Sequence, residues 1–347
     1  MGLEFLSADS SLLPKIADFL RTCFCARPDS VSFRSEVLHW KYFRPRPGWD
    51  GSRSFVAMQN GDIAAHAGVW PVHFLSAEKE VNGVHLIDWA ASRSVPGAGV
   101  HLLRKLAALT DVLLTIGGSA ATQQILPKLG YKKVGALKRS ARVVRPLMQF
   151  RAAPPPQWKR VLRFLRNSAW AYAARISYPQ GWRAQYVSSF SSDLDRIISL
   201  RRASKASSAR TVSTLNYMLA CPAVRFSGFL LFRGDDLQGY FMVSQVGCQA
   251  RIVDLWVIED TPACWRSACA IAARSLEENS DTHEIVAATS FESLHNSWLQ
   301  AGFRQRQLDP VYLYDPANLL ADALPIHLSL LDGDQCFLHD AAHPYLT

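Results

Sequence analysis

The chain contains the same order of strands and helices twice, and this internal repeat constrains its fold more than any other feature. Residues 54–74 read as two strands joined by an Asn-Gly turn, and residues 228–247 repeat that hairpin around a Gly-Asp turn. Each hairpin is followed by an apolar strand that carries one acidic residue, Asp88 in the first half and Asp254 in the second. The repeat predicts two copies of one α+β unit.

The two halves continue in parallel after the acidic strand. Each has a helical stretch, a short apolar strand and an aliphatic-Gly-aromatic ending at Gly130 or Gly302. The acidic residue precedes this glycine by 42 residues in the first half and by 48 in the second. Such similar spacing favours duplication over coincidence.

Length and charge place the junction between the halves. A chain of 347 residues exceeds the roughly 250 to 300 residues that one core usually supports. The stretch from Lys128 to Arg183 is rich in lysine and arginine, has no acidic residue and contains Pro154-Pro155-Pro156, which cannot continue a helix or a central strand. The boundaries that follow are an N-terminal domain at 1–150, a basic linker at 151–185 and a C-terminal domain at 186–347.

The remaining composition narrows the class of protein. The N-terminus lacks the uninterrupted apolar run of a signal peptide, and no window approaches the roughly 18 apolar residues of a membrane span, so we expect a cytoplasmic protein. Seven scattered cysteines fit free thiols and lack zinc-site spacing, so we predict no metal site. The net charge of +9 favours anionic partners such as CoA phosphates, nucleic acid or an anionic membrane surface.

The order of hairpin, acidic strand, glycine turn, helix, strand, helix and final Gly-aromatic strand resembles the GNAT N-acetyltransferase superfamily. The pairing of two such units is similar to double-GNAT and FemAB-like transferases. The resemblance covers residues 30–140 and 190–315. It implies two tandem GNAT-like domains, each with a mixed, mostly antiparallel central sheet flanked by helices, and acetyl-CoA or another acyl-CoA as co-substrate.

The segment after the Asp88 strand is the candidate acyl-CoA site. Gly97 and Gly99 lack a Cβ, so backbone N–H groups could approach a phosphate where the next helix begins. The resemblance places a pyrophosphate loop here, although Ser94 stands where the family has Gln or Arg and Arg93 lies one position early. It also places the acyl carbonyl and pantetheine near the strand. The predicted cofactor-binding residues are Ala90, Ala91, Ser92, Arg93, Ser94, Gly97, Ala98, Gly99, Val100 and His101. The alternative is an ordinary glycine turn.

Amide formation from a thioester requires a route for the ammonium proton and an acid for the leaving thiolate. Asp88 is the candidate base, because a carboxylate within an apolar strand can have a raised pKa; the alternative is a structural hydrogen bond. The family's usual tyrosine acid is replaced by Leu126. The thiolate is then protonated by Tyr131 or by solvent, or the activity is absent. The alternative for Tyr131 is that it packs as a core aromatic.

Three further residues are candidates for the acceptor side. Trp40 and Tyr42 belong to an aromatic segment that borders the acceptor cleft in double-GNAT proteins, with core packing as the alternative. Asp254 occupies the place of Asp88 in the second half. The loop equivalent to the phosphate loop there has no glycine and begins with Glu259 and Asp260, so we expect no CoA bound in that manner.

Residues 157–176 predict an amphipathic helix with arginine and lysine beside an apolar stripe. Such a helix could lie on an anionic membrane, contact tRNA, or pack across the domain interface. We expect the packing across the domain interface.

These patterns together predict an acyl-CoA-dependent N-acyltransferase, acting on an amine of a saccharide, peptide or small metabolite. The alternatives are an aminoacyl-tRNA-dependent transferase of the FemAB type and a non-catalytic GNAT-fold binding module. A cytoplasmic location, peripheral to the inner membrane face if the basic helix binds there, follows from the same patterns.

Overall fold

The computed structural model describes residues 2–75, 79–152, 157–174, 179–200, 207–340 and 343–347. Pro154-Pro155-Pro156 and the last predicted residue of the apolar stripe, Ile176, lie outside the described residues.

The elements alternate as the repeat predicts. The helices are α1 (Leu13–Cys23), α2 (Ser35–Tyr42), α3 (Ala98–Ala107), α4 (Ala120–Ile125), α5 (Pro146–Ala152), α6 (Gln157–Ala173), α7 (Asp195–Ser199), α8 (Val212–Leu219), α9 (Pro262–Glu277) and α10 (Glu292–Gln300). The strands are β1 (Glu4–Ser7), β2 (Ser54–Gln59), β3 (Asp62–Leu75), β4 (Glu80–Ala91), β5 (Val112–Ile116), β6 (Lys132–Val143), β7 (Trp182–Val187), β8 (Ser207–Ser208), β9 (Arg225–Arg233), β10 (Asp236–Val246), β11 (Gln249–Val257), β12 (Glu284–Thr289) and β13 (Arg304–Tyr314).

The described strands form a single mixed sheet in the order β1-β2-β3-β4-β5-β13-β6-β12-β11-β10-β9-β7, with β8 paired to β3. Neighbours are antiparallel except β4 with β5 and β11 with β12, one parallel pair in each half. The predicted fold class, a tandem α+β arrangement with mostly antiparallel pairing, is confirmed. The sheets of the two halves are continuous.

Exchange of the last strands joins the halves. Strand β13 of the second half lies between β5 and β6 of the first half, and β6 in turn pairs with β12. Each half therefore completes the sheet of the other, and the domain boundary near residue 150 stays a prediction from composition.

Local sequence explains the elements around the first parallel pair. Asn60 and Gly61 both have positive φ, at 53° and 86°, which is the backbone that a two-residue hairpin turn requires. Strand β5 reads VLLTI and is buried at every position, as expected of a strand that is covered on both faces. Helix α3 packs Leu102, Leu103 and Leu106 into a core on one face of the first half.

Candidate functional site

Strands β4 and β5 separate in the first half. They pair only where residues 83–85 meet residues 112–114, while β4 continues to Ala91. The register of β4 with β3 shifts between the pairs Gly68–Ile87 and His66–Ala90, and Asp88 within this bulge has φ of 46°. The result is a V-shaped opening with the bulge beside it.

His85 lies where the two strands separate. Its Nδ1 is 2.9 Å from the carbonyl oxygen of Asp332, and its Nε2 accepts the backbone N–H of Ile116 at 3.2 Å. These partners fix the neutral tautomer with the proton on Nδ1. Burial lowers the pKa of His85. This side chain therefore bridges β4, β5 and the C-terminal segment.

Asp88 is buried in an ion pair. The Lys41 ammonium contacts the Asp88 carboxylate and also donates to Asp334 at 2.6 Å, and the Tyr42 hydroxyl donates to Asp88. Lys41 is fully buried. One cation is thus held between carboxylates that are distant in sequence.

The expected rise in the pKa of Asp88 is wrong. Burial acts to raise this pKa, but the Lys41 ammonium and the hydrogen bonds from Lys41 and Tyr42 outweigh it, so the pKa lies below its ordinary value. Burial alone would lower the pKa of Lys41, and the carboxylates of Asp334 and Asp88 raise it instead. Asp88 is therefore an ionised, paired carboxylate, which is a weak proton acceptor at neutral pH.

The second half contains a matching cluster. Arg210 donates to Asp254 at 3.0 Å and pairs with Asp332 at 2.8 Å. Tyr240 and Ser329 also donate to Asp254, at 2.7 and 3.0 Å. Asp254 lies at a β-bulge between β10 and β11, as Asp88 does between β3 and β4. Its saturated hydrogen bonds favour a structural role over substrate binding.

The loop before α3 leads through a glycine of positive φ into the first turn of the helix. Gly97 has φ of 84°, and a Cβ there would make an ordinary contact with His101 Cδ2 at 3.8 Å. Among the described residues, the N–H groups of Gly99 and Val100 have no backbone acceptor, as is usual in the first turn of a helix. The reason for Gly99 differs from the prediction, because its Cβ would lie 3.0 Å from that of Ala91 and 3.2 Å from the Trp89 indole. Gly99 therefore permits close packing of α3 on β4.

The predicted acyl-CoA residues occupy consecutive positions from the end of β4 into α3. Residues 90 and 91 end the strand, 92–97 form the loop, and 98–101 form the first turn of the helix. The Ser92 and Ser94 hydroxyls are 2.7 Å apart. Arg93, Ser94 and His101 are exposed. Their role in binding stays a prediction.

The equivalent loop of the second half is occupied by its own side chains. Thr261 caps α9 by accepting the N–H of Cys264, and the Trp265 indole donates to Asp260 at 2.7 Å. A carboxylate therefore stands beside the start of α9, where it would repel a phosphate.

The structure places Tyr131, Trp40 and Tyr42 in the core. Tyr131 is 4% exposed and its hydroxyl has no hydrogen-bond partner among the described residues. Burial raises the pKa of Tyr131 well above its ordinary value. Trp40 stacks on Tyr217 with ring centroids 5.0 Å apart. Burial favours the core interpretation for all three.

A cleft of about 930 Å³ reaches Asp88 from the side of the α1–α2 loop. Its walls come from residues 24–34 of that loop, from Arg139, and from Gln249 and Arg251 in the second half. Both halves therefore contribute to the space beside the bulge.

The apolar stripe of α6 faces outward, whereas the opposite face of the helix contacts both halves: Asn167 also donates to Thr347 at 3.5 Å, and Ala174 just after the helix lies beside Gly302. The helix thus packs across the two halves as expected, but its apolar stripe does not. Helix α6 contacts α5 through the Phe150–Phe164 ring pair and a 2.8 Å hydrogen bond from Asn167 to Gln149. These contacts use the opposite face of the helix. The exposed fractions along the stripe are 63% for Trp158, 48% for Val161, 57% for Leu162, 59% for Leu165 and 69% for Tyr172.

Each half contains one parallel strand pair whose first strand carries a bulge, and the last strands are exchanged between the halves. This arrangement is a tandem GNAT fold. Solved structures with this fold align with 90% of the chain. A GCN5-related N-acetyltransferase from Anabaena variabilis has a TM-score of 0.61 at 13% identity over 73% of its own length. N-myristoyltransferase from Saccharomyces cerevisiae, solved with myristoyl-CoA, has a TM-score of 0.59 at 14% identity over 82% of its length. A tandem GNAT protein from the clavulanic acid pathway has a TM-score of 0.56 at 10% identity over 98% of its length.

No protein-family description matches the sequence, and no curated protein matches it. The seven cysteines are free thiols. Within the described ranges, the structure has no cluster of metal-ligating side chains and no helix with the length and apolarity to cross a membrane.

Proposed function

We propose that this protein is an acyl-CoA-dependent N-acyltransferase whose acyl donor binds in the first half. The observation that carries the proposal is the opening between β4 and β5, bordered by the Asp88 bulge and followed by a glycine-led helix start. The fold it shares with an N-myristoyltransferase solved with myristoyl-CoA supports the same class of donor.

The donor would lie along the opening with its phosphates at the start of α3. The unpaired N–H groups of Gly99 and Val100 and the helix dipole attract an anion there. The positive φ of Gly97 directs the chain into this first turn. The acyl group then lies near residues 89–91, beyond the bulge.

The acceptor amine would enter through the 930 Å³ cleft, which is at the upper end of the roughly 300 to 1,000 Å³ typical of small-molecule sites. This volume favours a saccharide or a peptide segment over a small metabolite. The amine nitrogen attacks the thioester carbon, the C–N bond forms and the C–S bond breaks. Water in the open cleft takes the ammonium proton and protonates the CoA thiolate.

In this scheme Asp88 is a positioning residue. Its pairing with Lys41 and its bond to Tyr42 hold the bulge that sets the direction of β4 beside the donor. The direct test is to incubate the protein with acetyl-CoA or longer acyl-CoA and a panel of amino sugars and peptides, and to measure thiol release. Release that requires an amine supports the proposal, whereas binding of CoA without turnover on any amine would favour a non-catalytic binding module.

We also propose that α6 lies on an anionic membrane surface. The outward stripe of Trp158, Leu162 and Leu165 is large and apolar, and Lys159 and Arg163 are exposed beside it. A helix with this combination binds in the plane of an anionic bilayer. The exposed apolar side chains favour a membrane over tRNA, because the phosphate backbone of tRNA attracts positive charge and not apolar side chains.

A further inference from the structure

A second cavity of about 350 Å³ lies between the two halves, near the start of β4. The proposed donor loop follows the other end of the same strand. Its lining includes residues from the loop before β2, from β3 and from α8: Arg46, Trp49, Trp70, His73, Thr214 and Met218. Its volume falls within the range of small-molecule sites.

Arg46 is the unusual member of this lining. Its guanidinium carbon lies 4.1 Å from the centroid of Trp70 and 5.8 Å from that of Tyr217. Its Nη1 is buried without a hydrogen-bond partner, and no described carboxylate lies within ion-pair distance of it. Arg210 lines the same cavity but is paired with Asp254 and Asp332.

The charge of Arg46 is therefore uncompensated within the described protein. Burial lowers the pKa of Arg46 to about 9, and Arg53 and Arg210 act in the same direction. Asp332 is the acidic residue of the lining. Its carboxylate already accepts from Arg210 and from the backbone N–H of Ser329.

The donor that lacks an acceptor here belongs to Arg46. Trp49 also lines the cavity, but its indole Nε1 lies toward Gly51, where an added Cβ would be 3.2 Å from it, and Gly51 lies outside the lining. Folded proteins rarely leave a buried polar group unsatisfied. A guanidinium without a carboxylate partner calls for a ligand that has acceptor oxygens and negative charge.

We propose that this cavity binds a small organic oxyanion, a carboxylate or a phosphate ester, at Arg46. The ligand's oxygens accept hydrogen bonds from the guanidinium, and its apolar part lies against Met218 and Val72. The site is separate from the acyl-donor loop and does not depend on the proposed activity.

Calorimetry with inorganic phosphate and with benzoate, on the wild type and two variants, tests this proposal. We expect Arg46→Met to weaken binding of the preferred probe at least tenfold. Arg44→Met, which removes an exposed arginine two residues away, should leave binding unchanged. Preference for benzoate identifies a carboxylate ligand, and preference for phosphate identifies a phosphoryl ligand.

Two outcomes would overturn the proposal. The first is no binding of either probe to the wild type at millimolar concentration, and the second is equal binding to Arg46→Met. Thermal unfolding without added anion guards against misfolding: Arg46→Met should keep or raise the midpoint, because it removes an uncompensated buried charge. Its CoA binding should equal that of the wild type, which separates failure here from failure of the donor site.

Discussion

Asp332 and Asp334, separated by Gly333, form ion pairs with opposite halves of the chain. Asp332 pairs with Arg210 in the second half, at 2.8 Å, and Asp334 pairs with Lys41 in the first half, at 2.6 Å. Each of these cations also contacts the acidic residue of its own half, Asp254 or Asp88. The turn at Gly333 thus connects the bulges of both halves through these ion pairs.

Removing the cation of the first cluster should be costly. Lys41→Met leaves Asp88 and Asp334 buried without their partner, and breaking a buried pair in this way costs roughly 3 to 5 kcal/mol. Urea unfolding measures the loss. Lys128→Met, which removes an exposed lysine, is the matched control; an equal change in both variants would contradict a structural role for the cluster.

The turn itself should tolerate no side chain at Gly333. A Cβ there would lie 2.6 Å from the His85 ring, and overpacking of this kind costs roughly 1 to 3 kcal/mol. Gly135→Ala adds a Cβ with no neighbour within 4 Å. We expect Gly333→Ala to lower Tm and Gly135→Ala to leave it nearly unchanged, and a comparable Tm in the two variants would argue against the packing described.

The sequence predicts the repeat but not the ion pairs made at this turn. Alternation, turn residues and the acidic strand positions are local signals, and they were sufficient for the fold class and for the equivalence of Asp88 and Asp254. The ion pair of Lys41 with Asp334 carries no local signal, since the two residues are 293 positions apart in the sequence. Exchange of β6 and β13 between the halves was missed for the same reason, because strand pairing depends on contacts across the whole chain.

Stability should fall as the pH is lowered from about 6.5 toward 4, partly because of His66. Burial lowers the pKa of His66 to about 4, while its Nδ1 lies 3.1 Å from the Asp88 carbonyl oxygen. Between the ordinary and the lowered pKa, this imidazole binds a proton more readily in the unfolded chain than in the folded protein. The free energy of unfolding therefore decreases on acidification by on the order of 3 kcal/mol. Thermal unfolding across this range should show a shallower slope for His66→Gln and no change for the exposed His101→Gln.

Lowering the pH below the ordinary pKa range of carboxyl groups should remove a further contribution to the free energy of unfolding. Although burial acts to raise the pKa values of Asp88 and Asp332, their cationic partners hold both below the ordinary value. The stability they provide is therefore complete above about pH 4 and is lost as the pH falls through their lowered values. Asp332→Asn should show a smaller loss below pH 4 than the wild type in the same unfolding measurement.

The outward stripe of α6 should govern membrane binding. Leu162→Glu and Leu165→Glu place charge in the apolar face, and we expect each to weaken sedimentation with phosphatidylserine vesicles at least tenfold. Leu109→Glu changes a leucine that is 67% exposed outside α6 and serves as the control. Binding to tRNA that persists in the α6 variants, with no binding to vesicles, would contradict the membrane assignment.

The proposed function requires an acyl-CoA to bind at the loop between β4 and α3. Calorimetry of CoA and acetyl-CoA with the wild type, Ser94→Glu and Ser94→Lys tests it most directly, because residue 94 is exposed in that loop and the two variants differ mainly in charge. We expect the wild type to bind, Ser94→Glu to weaken binding about tenfold, and Ser94→Lys to keep or strengthen it. Absence of binding to the wild type, or equal affinity in the two variants, would contradict it.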